Sequence, residues 1–324
     1  MENMPGETIS KLVAGLGFSV ALASLIYDNF LTPPIPPSSS AYPQSKPTET
    51  PPSSLEITCV VKLGGSACTN KDVLETFNPA SVSSTASQLI QSEIVPLLIH
   101  GAGSFGHFQA REFSVSQGGA LTPRLREGFA RTRVSVLKLN SLIVDRLVQS
   151  GLAAVGLSPG GHLRTAGRAI QPHLANSFID QVANFVKSGF IPVVHGDACL
   201  DEKINCTILS GDALFVWFCR IFRPKYGVFL TDVAGVFTKP PSEPDAQLLP
   251  SIKVDCKGQR LGVQVAFDTR KHDVTGGIQA KLNVACHVAG ELGIPVYIVQ
   301  VGSSSAAQAL KGLRPDLGTT VERV

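Results

Sequence analysis

Apolar positions along most of this chain come in short, nearly continuous runs. They occupy residues 57–63 (ITCVVKL), 95–100 (VPLLIH), 153–157, 191–194, 227–230 and 296–299. Runs of this length without a polar residue at every second place predict strands covered on both faces. Longer stretches with helical spacing lie between them, among them 124–150 and 279–292. Strand–helix alternation of this kind predicts an α/β domain with a mainly parallel central sheet and helices on both sides. No internal repeat interrupts it.

The first 54 residues follow neither pattern. Residues 12–27 (LVAGLGFSVALASLIY) form an apolar run, short of the ~20 residues a helix needs to span a bilayer. Glu2, Glu7 and Lys11 precede it, whereas a secretory or mitochondrial leader would carry net positive charge there. The run reads as a weak membrane association segment or as a dispensable or organelle-addressing extension. Residues 32–54 are rich in Pro and Ser, a composition that buries too little apolar surface to fold and predicts an extended linker. The expected organisation is therefore an extension over 1–54 and a folded domain over 55–324.

Composition narrows the function classes. The chain is 44% hydrophobic and 16% charged, with a net charge of +3. Its lysines and arginines are spread out, without the basic stripe and interleaved aromatics of a nucleic-acid surface, so no nucleic-acid partner is expected. Seven cysteines, an odd number without a C-x-x-C pair, argue against a disulfide framework or zinc site and for a reducing, cytoplasmic setting.

The candidate chemistry sits where the strands end. In a parallel sheet, ligands gather beyond the carboxyl ends of the strands, and glycines there let backbone N–H groups approach phosphate closely. Lys62-Leu63-Gly64-Gly65-Ser66 closes the first strand. A lysine at the end of a buried strand wants an anionic partner. His100-Gly101-Ala102-Gly103-Ser104-Phe105-Gly106-His107 closes the second and satisfies G-x-G-x-x-G, a weak signal that a dinucleotide site shares. A dinucleotide enzyme would place an acidic residue about twenty residues on, where this chain has PRLREGFARTR, with Glu127 inside a helical pattern. Asp273-Val274-Thr275-Gly276-Gly277 opens a helix that carries Lys281 one turn in, a favourable anion site. Asp197, Asp212 and Asp232 each follow a strand, placed to orient the lysines or to hold Mg²⁺ on a nucleotide. The P-loop pattern G-x-x-x-x-G-K-[ST] does not occur.

The stretches KLGGSACTNK, HGAGSFGHFQA, PVVHGDACLDEKINCTILSGD, VFLTDVAGVFTKPPSEPDA and HDVTGGIQAKL follow one another in an order that resembles the amino-acid kinase superfamily and, within it, the plant-like isopentenyl phosphate kinases. The resemblance covers residue 57 to the C-terminus. It implies an αβα sandwich, a homodimer, Mg-ATP as phosphoryl donor and isopentenyl phosphate as acceptor. It implies that Lys62 and Lys281 neutralise the transferring phosphoryl group, that Lys71 stabilises the transition state and that Asp212 organises them. Gly64, Gly65, Ser66, Gly103, Asp232 and Gly277 would join the two lysines on the nucleotide side. His107 would grip the acceptor phosphate, with Ala102, Gly196 and Asp197 beside it. The chemistry agrees. Phosphoryl transfer needs two anions held in line and their charge neutralised, and a phosphate acceptor needs no general base. The tail pocket is expected among Phe108, Phe113, Leu121, Phe129, Val136 and Leu137. Rival readings are a kinase of the same fold with a phosphonate, carbamate or acyl acceptor, an oxidoreductase using the glycine loop, and a non-catalytic binding protein. Residues 158–171 match no motif.

Overall fold

Alternation along β1 (Cys59–Leu63) divides the core in two. Cys59, Val61 and Leu63 face one apolar layer, and Val60 faces the other. Lys62 shares the face of Val60, so a cation takes the last core position of the strand. The computed structural model describes residues 56–70, 72–262, 265 and 277–324. The predicted extension over 1–54, Lys71 and residues 273–276 of the third glycine loop lie outside the described residues.

After β1 come α1 (Gly65–Cys68), α2 (Pro79–Ser92), β2 (Pro96–His100), α3 (His107–Glu112), α4 (Pro123–Gln149) and β3 (Ala154–Leu157). Then follow β4 (Thr165–Ala166), β5 (Ala169–Ile170), α5 (Asn176–Lys187), β6 (Ile191–His195), β7 (Asp197–Asp201), β8 (Asn205–Leu209) and α6 (Gly211–Phe222). The chain ends with β9 (Tyr226–Thr231), β10 (Ser251–Val254), α7 (Gly277–Leu292), β11 (Val296–Gln300), α8 (Ser304–Leu310) and β12 (Thr319–Arg323). The predicted strands are β1, β2, β3, β6, β9 and β11, and the two named helices are α4 and α7. Thr122 caps α4 by accepting from Leu125 N–H at 3.2 Å, with Pro123 at the first helical position.

Among the described residues, eight strands form one sheet in the order β10-β12-β11-β9-β1-β2-β6-β3. Neighbours pair in parallel except β11 with β12. Helices α2, α4 and α8 pack on the face of Val61, and α5, α6 and α7 on the face of Val60. This is the three-layered αβα sandwich that the alternation of runs predicts. No helix of the described residues is long and apolar enough to cross a membrane, and all seven cysteines are unpaired thiols.

A second, four-stranded sheet, β5-β4-β7-β8, stands beside the first. Its two turns are tied together by one carboxylate. Asp201 accepts from Thr165 Oγ1 (2.7 Å), Gly167 N (3.0 Å), Arg168 N (2.7 Å), Lys203 N (2.8 Å) and Ile204 N (3.0 Å). Burial raises its pKa, but the hydrogen bonds outweigh burial and hold the carboxyl well below the usual range.

The strand ends leave the main sheet at one level. Gly64 N–H donates to Leu230 O (2.8 Å), Gly101 N–H to Leu63 O (3.0 Å) and Gly196 N–H to His100 O (3.1 Å). The first two loops touch backbone to backbone. A Cβ on Gly65 would lie 2.5 Å from Gly103 N, and one on Gly101 would lie 2.7 Å from Gly65 N. Gly65→Ala should therefore lower stability by about 1–3 kcal/mol through overpacking. Gly161→Ala, where a Cβ meets nothing within 4 Å, should stay within ~0.5 kcal/mol. Paired urea melts of the two variants check the contrast.

Candidate active site

Lys62 is 4% exposed and meets Asp212 in an ion pair, Nζ to Oδ1 3.0 Å. Asp212 lies in the first turn of α6, where Ser210 caps the helix by accepting from Ala213 N–H at 3.1 Å and the helix dipole favours a carboxylate. Gly211 leaves room for the lysine, since a Cβ there would sit 3.0 Å from Lys62 Cε. The ammonium also stands 5.5 Å from the ring centroid of Phe229. One carboxylate oxygen does not satisfy three ammonium donors, so the buried cation keeps capacity for an anion.

Lys281 reaches the same place from α7. Its Nζ donates to Gly277 O at 3.1 Å, and its Cε would lie 3.8 Å from a Cβ on Gly64. Fold topology thus joins Lys62, Gly64, Asp212, Gly277 and Lys281, which come from three separate stretches of sequence. Ser66 is half-buried in α1, and Asp232 is exposed just past β9, its carbonyl accepting from Gln300 Nε2 at 3.4 Å.

The first two glycine loops are clasped from behind. Thr69 Oγ1 donates to Gly65 O at 2.8 Å and accepts from Ser104 N–H at 3.1 Å. Thr76 N–H donates to Ser104 Oγ (3.2 Å) and Glu75 N–H to Ser104 O (3.2 Å). Glu75 then accepts from Lys138 Nζ and Ser135 Oγ on α4, each at 2.6 Å, contacts that hold its carboxyl below the ordinary value. The segment flanking Lys71 is thereby moored to the second glycine loop and to α4.

Ala102, Gly103 and His107 lie along that second loop, His107 as the first residue of α3. Gly106 lets the loop press on α4, where a Cβ would meet Val136 Cγ2 at 2.7 Å. Gly196 packs against the start of α6, its absent Cβ 3.0 Å from Gly211 N. Asp197 follows Gly196 as the first residue of β7. Its carboxylate is fully buried and turned into the protein. It accepts from Ser158 Oγ (2.9 Å), Gly160 N (3.2 Å) and Ala198 N (2.8 Å) and lies 3.4 Å from Arg133 Nε. Residues 158–171, which match no motif, supply Ser158 and Gly160 to Asp197 and Thr165, Gly167 and Arg168 to Asp201.

The apolar candidates separate as well. Phe113 belongs to a small cluster with Val115, Leu125, Ala198 and Cys206, and Phe129 packs on it. Val136 is buried under Gly106, while Phe108 and Leu121 are exposed. Leu137 instead lines a groove with Val144, Val148 and Gly156, between α4 and the edge strand β3. Ala198, Cys206 and Ile208 of the second sheet join the Phe113 cluster through tertiary packing, which the pattern along their short strands does not announce.

Beneath the loops lie two histidines. His100 and His195 end β2 and β6 in register, and their rings stack with centroids 5.4 Å apart. Nδ1 of each is 3.0 Å from the carbonyl oxygen of the following glycine. Asn140 Nδ2 donates to His100 Nε2 (3.1 Å) and to Val193 O (3.2 Å). Burial, and then the neighbouring His195, pushes the His100 pKa down to about 3. Burial lowers that of His195 too, against the opposing pull of Asp197.

Known proteins resemble this chain in sequence and fold. A family model for the amino acid kinase family matches residues 58–300. An isopentenyl phosphate kinase from Arabidopsis thaliana is 35% identical over 308 residues, covering 80% of this chain and 92% of that protein. One from Methanothermobacter thermautotrophicus is 33% identical over 234 residues, covering 69% and 84%. A crystal structure of isopentenyl phosphate kinase superposes with a TM-score of 0.65 at 30% identity, covering 81% of this chain and 99% of that one.

The buried imidazoles set a pH dependence. Below pH 6.5 the unfolded chain protonates His100, while the folded chain stays neutral until about 3. The unfolded state then binds more protons, so stability is lost as pH falls through that window. The His100 share is on the order of 1.4 kcal/mol per pH unit, and His195 acts in the same direction. Urea midpoints should drop between pH 7 and pH 5, a range above most carboxylate titration, and His100→Asn should flatten the slope.

Proposed function

The chain belongs to the amino acid kinase family, and we propose that it transfers the γ-phosphoryl group of ATP to isopentenyl phosphate, yielding isopentenyl diphosphate and ADP. The observation that carries this reading is 35% identity to an isopentenyl phosphate kinase along 92% of that protein's length, together with the position of His107 at the end of the second glycine loop.

Each residue is assigned the role that the family resemblance implies. An oxygen of the acceptor phosphate attacks the γ-phosphorus, a new P–O bond forms, and the bond to the β-γ bridging oxygen breaks. Charge moves toward that bridging oxygen and the equatorial oxygens. Lys62 and Lys281 neutralise it, with Asp212 holding Lys62 in line. Lys71 adds a third cation. Gly64, Gly65, Ser66, Gly103, Asp232 and Gly277 serve the nucleotide, while Ala102, His107 and Gly196 serve the acceptor. Asp197 stiffens the acceptor loop from behind. The acceptor is already an anion, so no step requires a general base. The isoprenoid tail lies toward Phe113, Phe129 and the second sheet.

Magnesium enters this proposal as the counter-ion of ATP. Among the described residues, no group of three His, Cys, Asp or Glu side chains could hold a cation. That donor set suits a magnesium held mainly by phosphates and water, with one or two carboxylates to help, and Asp212 and Asp232 are the carboxylates at hand. When bound, the ion draws charge off the β- and γ-phosphates.

A homodimer belongs to the same proposal. Strand β3 ends the main sheet, and Leu137 and Val148 of α4 are exposed beside it, an edge and apolar strip that a second copy would cover. The domain boundary is also proposed at residue 55. A chain beginning there should keep full activity and sediment as a dimer; an insoluble or inactive product would place residues 1–54 inside the fold.

Substrate choice gives the direct test. kcat/KM for isopentenyl phosphate should exceed that for geranyl phosphate, N-acetylglutamate and fosfomycin by at least ~10-fold, about 1.4 kcal/mol of transition-state preference. His107→Ala should lose at least ~10²-fold in turnover with ATP binding intact. A preference for the glutamate derivative or the phosphonate would refute isopentenyl phosphate as acceptor.

A further inference from the structure

The histidine layer under the loops has a feature that packing does not account for. His195 Nε2 is buried without a hydrogen-bond partner, which is destabilising for a polar atom. An aliphatic or aromatic side chain would fill the position without that liability. What the imidazole supplies is its other nitrogen. Nδ1 lies 3.0 Å from Gly196 O, and a carbonyl only accepts, so Nδ1 carries the proton. His100 repeats the arrangement on the neighbouring strand, with Nδ1 3.0 Å from Gly101 O. Its own Nε2 accepts from Asn140, which fixes the same tautomer independently.

The two bonds act on peptide planes. The unit Gly101–Ala102 is planar and trans, so its N–H points opposite to its C=O. Drawing Gly101 O toward the histidine layer turns the Ala102 amide away from it. Drawing Gly196 O in the same way locks the Gly196–Asp197 unit, whose glycine abuts Gly211 and, through Gly211, the stem of Lys62. A glycine loop has wide conformational freedom, and these histidines remove it at the two places assigned to the acceptor.

The geometry points to His100 and His195 as paired positioning residues whose Nδ1–H groups set the Gly101–Ala102 and Gly196–Asp197 peptides against which the acceptor phosphate is held. This rests on the proposed placement of Ala102 and Gly196 on the acceptor side.

His195 separates the effect cleanly, because Nδ1 makes its side-chain hydrogen bond and Nε2 makes none. The amide nitrogen of an asparagine occupies the place of Nδ1, and that of a glutamine the place of Nε2. His195→Asn should therefore keep KM for isopentenyl phosphate within ~3-fold of wild type, while His195→Gln raises it at least ~10-fold with KM for ATP within ~3-fold. Backbone amide exchange over residues 195–198 should be faster in H195Q than in H195N. Equal acceptor KM in the two variants, or parallel rises for both substrates, overturns the assignment. If the wild type does not turn over isopentenyl phosphate, the functional reading fails instead. The exchange comparison then decides whether Nδ1 pins the peptide, and equal exchange overturns that as well.

Discussion

A lysine in a core position constrains everything around it. Lys62 points into the apolar layer between the main sheet and α6, where an unpaired charge would be strongly destabilising. The fold answers with a carboxylate at a helix N-terminus, an aromatic face at 5.5 Å and a glycine that leaves the stem its space. Each answer is partial. Asp212 Oδ1 makes the ion pair but no well-formed hydrogen bond. A site balanced this way is poised for a further anion, and the fit of this kinase to phosphate follows from how its resting cation is held.

Closeness is the second constraint. The first two glycine loops cross with backbone atoms in contact, which Gly65 and Gly101 permit and an alanine at either place would not. Such proximity brings two anionic substrates within reach of one another. It also leaves loops with no side chains to hold their shape. Order comes from outside them: from Thr69, Ser104 and Glu75 on one side, and from the histidine layer beneath. The lysines and the histidines occupy opposite faces of the same sheet, one face bearing charge and the other geometry.

The second sheet extends the division of labour. Its strands bury Asp197 and Asp201, whose oxygens are taken up partly by the distant Gly160 and Arg168 and partly by near neighbours such as Ile204. They also carry Ala198, Cys206 and Ile208, which join Phe113 in an apolar cluster flanking the acceptor loop. A small polar-and-apolar annex of this kind can vary in shape without disturbing the main sheet.

The amino-acid sequence by itself determined the features that depend on neighbours in the chain. Strand runs, helix starts, glycine loops and the lysines beside them are short-range patterns, and β1, β2, β6, β9, β11, α4 and α7 lie where those patterns put them. The order of the motifs was enough to indicate the family. Only the tertiary structure decided what depends on strand order. Lys62 finds Asp212 because β1 runs beside the start of α6, and no local rule pairs residues so far apart. Asp197 and Asp212 both follow a strand, yet Asp197 turns to Ser158 and Gly160 and Asp212 to Lys62. The two differ only in direction, and a residue's direction at a strand end is set by the turn that follows and the layer that covers it. The short strands β4, β5 and β7 carry no comparable pattern, whereas the apolar run before Asp212 marks β8. Asp201 joins the β4–β5 turn to the β7–β8 turn, and its contacts across to residues 165–168 leave no periodic trace in the sequence.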